Sequence, residues 1–104
     1  MEKLEICRHL IDSIDNSIIE LYEKRMDVIK EITKYKIENG LPVLDQARED
    51  SMLNKNLKKI KNEEYKKYYK DVLDGYLKAS KKMQEEIIKS NKSISKDNSG
   101  FTTN

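Results

Sequence analysis

The stretch KIENGLPVLDQARED, residues 36 to 50, reads as the end of one helix, a six-residue bend and the start of another. Gly40 stands where a helix C-terminus takes its left-handed residue, and Pro42 lies just beyond, where a helix does not continue. Asp45 then offers a carboxylate to the first backbone N–H groups of the next helix. The joint is crowded with charge beside a hydrophobic face. It delivers Lys36, Asp45, Arg48 and Glu49 to one end of a pocket.

Upstream of the joint, positions 4, 7, 11, 14, 18, 21, 25, 28, 32 and 35 step by three and four in alternation, reading Leu, Cys, Ile, Ile, Ile, Leu, Arg, Val, Ile and Tyr. This is a heptad-like seam on one helix, uninterrupted by Gly or Pro before Gly40. A helix from about residue 3 to 39 is about 55 Å long, too long a rod for two shorter helices to cover. Downstream, a second helix carries Leu53, Leu57 and Ile60 on its apolar face. A third, over about residues 63 to 89, carries Tyr69, Leu73, Tyr76, Leu77, Ile87 and Ile88. No β pattern or repeat is present, so the fold class expected is all-α, three helices with one very long. Residues 1–90 form the helical domain. Residues 91–104 are polar and read as a disordered C-terminal tail.

With 104 residues, 37% hydrophobic content, six tyrosines and one phenylalanine, the chain makes about one domain with too little apolar material for a large core of its own. Self-association is expected from this alone. The 21 basic and 19 acidic residues leave a formal charge of +2, against a nucleic-acid binder defined by net charge. The runs KKIK and KKYYK are interleaved with acids and read as a solvated face. One cysteine, Cys7, and one histidine, His9, provide neither a disulfide framework nor a four-ligand zinc site. No segment has signal-peptide or membrane-spanning character, so a cytoplasmic protein without a membrane partner is expected.

The informative residues are polar groups placed where the helical period asks for apolar ones. Arg25 occupies a seam position, and Lys36 projects within about 20° of it, about 16 Å further along the same face. Ser80 and Gln84 are spaced i, i+4 and fall within about 20° of Leu73 on the third helix. Glu49 lies about 40° from Leu53, whereas Arg48 lies well off that face. Each has an ordinary explanation: cations that snorkel or pair with a carboxylate, local hydrogen bonds for Ser80 and Gln84, a solvated Arg48, a capping Asp45. Convergence from all three helices points instead to an enclosed polar ligand. Cations outnumber the inward acid, so that ligand should be anionic, with more than one carboxylate or phosphate.

The ordered set Arg8-x2-Ile11-x2-Ile14-Asp15, Arg25, Lys36, Gly40-Leu41-Pro42-Val43-x-Asp45-x2-Arg48-Glu49 and Ser80-x3-Gln84 resembles the all-helical (type II) chorismate mutases over roughly residues 4 to 88. The resemblance implies an intertwined helical homodimer and the Claisen rearrangement of chorismate to prephenate, in phenylalanine and tyrosine biosynthesis. By position it implies that Arg25, and Arg8 from the partner chain, hold the substrate carboxylates, and that Lys36 and Gln84 donate to the ether oxygen of the breaking bond. Asp45 and Glu49 serve the ring-hydroxyl end, with Arg48 and Ser80 completing the polar lining. No cofactor and no metal are called for. Geometry independently keeps Arg8 out of its own chain's pocket, since it lies about 25 Å along the helix from Arg25 and is turned by about 100°; an antiparallel dimer of the long helix could bring it there.

Two alternatives stay open, the first within the same resemblance and the second from the residues. One is a lyase of the same fold that splits pyruvate from isochorismate, which the intact Asp45-x2-Arg48-Glu49 loop disfavours. The other is a non-enzymatic helical adaptor whose inward charges set coiled-coil register, which leaves Glu49, Ser80 and Gln84 unexplained.

Overall fold

The computed structural model describes the backbone of residues 2–102 and the side chains of residues 2–91. Three helices follow in order, α1 (Glu2–Glu38), α2 (Gln46–Leu57) and α3 (Glu63–Thr102), with no strand among the described residues. The all-α expectation holds, and α1 ends within a residue or so of where the sequence placed it. Helical backbone in α3 continues past residue 89, the end expected for it. Side chains 92–104 lie outside the described residues, and the expectation of a disordered tail falls mostly on them.

Local chemistry accounts for each terminus. At the end of α1, Gly40 takes φ 63°, Leu41 N donates to Lys36 O at 2.8 Å and Gly40 N to Ile37 O at 3.3 Å. This paired arrangement satisfies carbonyls that the helix leaves open, and it requires a residue at ease with positive φ. Asp45 begins α2 in extended conformation and accepts from Arg48 N at 3.1 Å. Asn62 plays a similar part before α3, its Oδ1 accepting from Glu64 N at 3.0 Å.

Contacts between helices fix their directions. Arg25 meets Met52 and Lys36 meets Val43, so α2 runs back along α1. Asn56 Nδ2 donates to Tyr69 Oη at 2.9 Å, joining the end of α2 to the early turns of α3. Arg25 lies over Tyr76, while Lys34 and Ile37 share a groove with Ile87 and Ser90; α3 therefore runs parallel to the C-terminal half of α1.

The molecule is an extended body of 71 × 30 × 16 Å, with its packing concentrated at one end. Among the described residues, Leu73 is the one buried apolar side chain, at 2% exposure, and Thr33 (0%) and Ser80 (4%) are the buried polar ones. Both hydroxyls are satisfied within their own helices. Thr33 Oγ1 donates to Ile29 O at 2.7 Å, and Ser80 Oγ is placed to donate to Tyr76 O (2.9 Å) or Leu77 O (3.2 Å). Every residue of α1 from Glu2 to Lys24 is exposed, including Leu4, Leu10, Ile11, Ile14, Ile18 and Leu21. The sequence reading of the seam as a rod that two other helices cannot cover is what the single chain displays.

Candidate functional site

Where α1, α2 and the joint meet α3, a cleft of about 330 Å³ opens. Its apolar wall comes from Val28, Ile29 and Ile32 of α1, Val43 and Leu44 of the joint, Met52 of α2 and Leu77 of α3. Its polar lining is Arg25 and Lys36 from α1, Asp45, Arg48 and Glu49 from the start of α2, and Ser80 and Gln84 from α3. The structure thus brings together seven of the eight residues singled out in the sequence. Arg8 is the eighth. It sits exposed on the free half of α1, away from the cleft of its own chain.

The cations are placed without carboxylate partners. Lys66–Glu63 is the one salt bridge among the described residues, so neither Arg25, Lys36 nor Arg48 is neutralised by Glu49 or Asp45. Lys36 is half-buried in the last turn of α1, and its Nζ donates to the carbonyl oxygen of Val43 at 3.2 Å. Arg25, also half-buried, has its guanidinium carbon 5.6 Å from the centroid of the Tyr76 ring and an Nη2 contact of 4.0 Å to Met52 Sδ. A thioether is a weak acceptor, so most of the five guanidinium N–H groups remain available to a ligand.

Glu49 is half-buried one turn into α2, while Asp45 and Arg48 are exposed at the rim. Asp45 Oδ1 is engaged as the helix cap, and Arg48 shows the solvated position that its place on the helical wheel allowed. Ser80 is buried with its proton turned to its own helix, leaving the hydroxyl oxygen as an acceptor toward the cleft. Gln84, half-buried one turn on, retains a neutral amide that can donate. No buried side-chain polar atom among the described residues lacks a partner. In the single chain the inward polar groups are satisfied by bonds to their own helices and the joint or open onto the cleft.

Three cations and two carboxylates leave this lining with an excess of positive charge from one chain. Such a site takes a compact anion with several oxygens, held by an arginine fork and a lysine point charge against an apolar wall. The sequence reading passed over Met52 and the ring of Tyr76 as contacts of Arg25. Their signal was present only as apolar spacing, which does not distinguish a cleft wall from a core.

The family model described as "Chorismate mutase type II" matches residues 7–85. A T-protein of Haemophilus influenzae is 40% identical over 53 residues, 51% of this chain and 14% of that protein. A chorismate mutase of Methanocaldococcus jannaschii is 39% identical over 49 residues, 47% of this chain and 50% of that protein. The chain spans half the length or less of these curated relatives. No solved structure gives a significant match.

Proposed function

The chain belongs to the type II chorismate mutase family, and we propose that its cleft isomerises chorismate to prephenate in aromatic amino acid biosynthesis. The observation that carries this reading is the convergence of Arg25, Lys36, Glu49 and Gln84, from three helices, on one electropositive cleft without internal ion pairs. A pericyclic rearrangement needs no nucleophile and no proton transfer. It needs a flexible dianion folded into a compact diaxial shape, and stabilisation of the charge that develops as the ether C–O bond breaks ahead of C–C bond formation.

Arg25 takes one substrate carboxylate through its fork, which fixes orientation as well as position. Lys36 and Gln84 donate to the ether oxygen. An oxygen that gains negative charge in the transition state binds such donors more tightly there than in the ground state, which lowers the barrier rather than only the KM. Asp45 and Glu49 accept from the ring hydroxyl, and Arg48 and Ser80 complete the polar lining. The apolar wall keeps the dielectric low on the other side of the ring.

The working unit is a homodimer, in which the free half of α1 lies antiparallel against its counterpart and carries Arg8 into the partner's cleft to hold the second carboxylate. Support comes from the apolar residues exposed along Glu2 to Lys24, since helices in proteins draw most of their stability from packing an apolar face and a stripe of this extent favours burial. Residues 1–90 constitute the catalytic domain. No described helix is long and apolar enough to cross a membrane, and the cytoplasm is the compartment proposed.

The direct experiment follows the loss of chorismate absorbance on adding purified protein and identifies prephenate by its acid conversion to phenylpyruvate. Prephenate formed by the native chain and abolished in Lys36→Ala is the expected result. A folded dimer inert toward chorismate would overturn the reading, and pyruvate released from isochorismate would replace it with the lyase.

A further inference from the structure

We infer that Tyr76 is a positioning residue for Arg25, holding the guanidinium plane for an incoming carboxylate without neutralising it; the role rests on the chorismate reading of the cleft. The guanidinium carbon stands 5.6 Å from the ring centroid, and Nη2 reaches only the Met52 sulfur, at 4.0 Å. Among the described residues no carboxylate lies in salt-bridge range of Arg25. An arginine on a half-open cleft carries several rotatable bonds, and a ligand that must order them binds more weakly. A carboxylate partner would order the side chain but would compete with the ligand for the same N–H groups. A ring face orders it through the charge and leaves the N–H edge free.

The helix turn that carries the ring is held in place. Tyr76 lies one turn after buried Leu73 and one turn before buried Ser80, and Ser80 Oγ lies 2.9 Å from the Tyr76 carbonyl. The phenol oxygen has no hydrogen-bond partner among the described residues, and the contact with Arg25 is one of ring face and charge. Met52 lies at the guanidinium edge, its Sδ 4.0 Å from Nη2. Its thioether is a weak acceptor that steadies one N–H without holding it against a carboxylate.

Because Arg25 contacts the substrate carboxylate in ground and transition states alike, loosening it raises KM more than it lowers kcat. Tyr76→Leu is expected to raise the KM for chorismate roughly 3- to 30-fold, with Tyr76→Phe restoring it to within about twofold. In the free protein, the Arg25 Hε resonance, identified by its loss in Arg25→Lys, should be shifted upfield by the ring in wild type and Tyr76→Phe and return toward the ordinary arginine position in Tyr76→Leu. Tyr76→Met serves as a second ring-free variant if leucine disturbs folding. An Hε position unshifted in wild type, or the same in wild type and a folded ring-free variant, overturns the positioning role whether or not chorismate turns over. So does a ring-free variant with native KM, or a Phe variant as impaired as Leu. Wild-type protein that makes no prephenate yet shows the ring-shifted Hε overturns the catalytic reading and, with it, the carboxylate-binding purpose given to Tyr76.

Discussion

Lys36 Nζ donates to the carbonyl oxygen of Val43 at 3.2 Å, while the Lys36 carbonyl accepts from Leu41 N at 2.8 Å. One residue thus ties the joint at both its beginning and its far side. The side-chain tie orients the ammonium toward the cleft without consuming all three of its protons. Lys36→Ala removes that tie but leaves the backbone cap and Gly40 in place, so the chain should still fold, with a loss of about 1 kcal/mol. Prephenate formation should fall by about two to three orders of magnitude, the scale for losing one donor to a developing oxyanion. Circular dichroism and turnover on the same preparation check both halves. A folded variant with native rate would remove Lys36 from the chemistry.

Asp45 has two candidate duties, and substitutions separate them. As the cap of α2 it accepts from Arg48 N at 3.1 Å, a duty that asparagine can take over and alanine cannot. Asp45→Ala should cost about 0.5–2 kcal/mol in denaturant unfolding, and Asp45→Asn little. If Asp45 also receives the ring hydroxyl, the Asn variant should show a raised KM at native stability. Native kinetics in Asp45→Asn would leave Asp45 as a cap alone.

The fold was most readable where single residues dictate backbone geometry. Gly40 and Asp45 placed the joint because few other side chains satisfy a positive φ or a helix's open N–H groups so readily, and the structure uses both for those purposes. The polar lining was readable because Arg25, Lys36, Ser80 and Gln84 interrupt apolar stripes at helical spacing. Other features left no such mark. Thr33, the most buried of the described residues, falls outside the stepped seam, because a small hydroxyl bonded to its own helix can enter a tight interface without breaking a hydrophobic pattern. Periodicity also assigned the whole seam one role. In the chain, α3 lies only along the C-terminal half of α1 and the rest faces outward, because which partner covers a stripe depends on register between helices and not on the stripe. Ile60 lies beyond the end of α2, and Asn62 rather than a hydrophobic signal marks the start of α3.

Gln84 makes a statement about pH. Its amide donates in the same form across the accessible range, so the native rate should carry no ionisation belonging to position 84. Gln84→Glu places there a carboxyl that donates only while protonated. Below the glutamate pKa, ordinarily about 4.3, the variant should recover activity, and as pH rises through that pKa the rate should fall. The cations Arg25 and Lys36 nearby favour the ionised form and push the loss toward lower pH. A pH–rate profile of kcat for the two proteins tests this, and parallel profiles would move Gln84 away from the reacting oxygen.

Arg8 supplies the sharpest test of the shared site, because its exposed position on the free half of α1 gives it no work within its own chain. Assayed at chorismate well below the native KM, Arg8→Ala and Arg25→Ala should each be nearly inactive alone. In a heterodimer of the two, the cleft on the Arg8→Ala chain keeps its own Arg25 and receives the intact Arg8 of the other subunit, while the second cleft lacks both. Equal mixing to random exchange makes half of the dimers mixed and restores about one quarter of all sites. Activity should therefore rise from the background of either parent to about that fraction of wild type, with the time course of subunit exchange. Mass-resolved heterodimers that stay at the parental background would show that each cleft is completed by its own chain, and Arg8 would then be a residue of the interface alone.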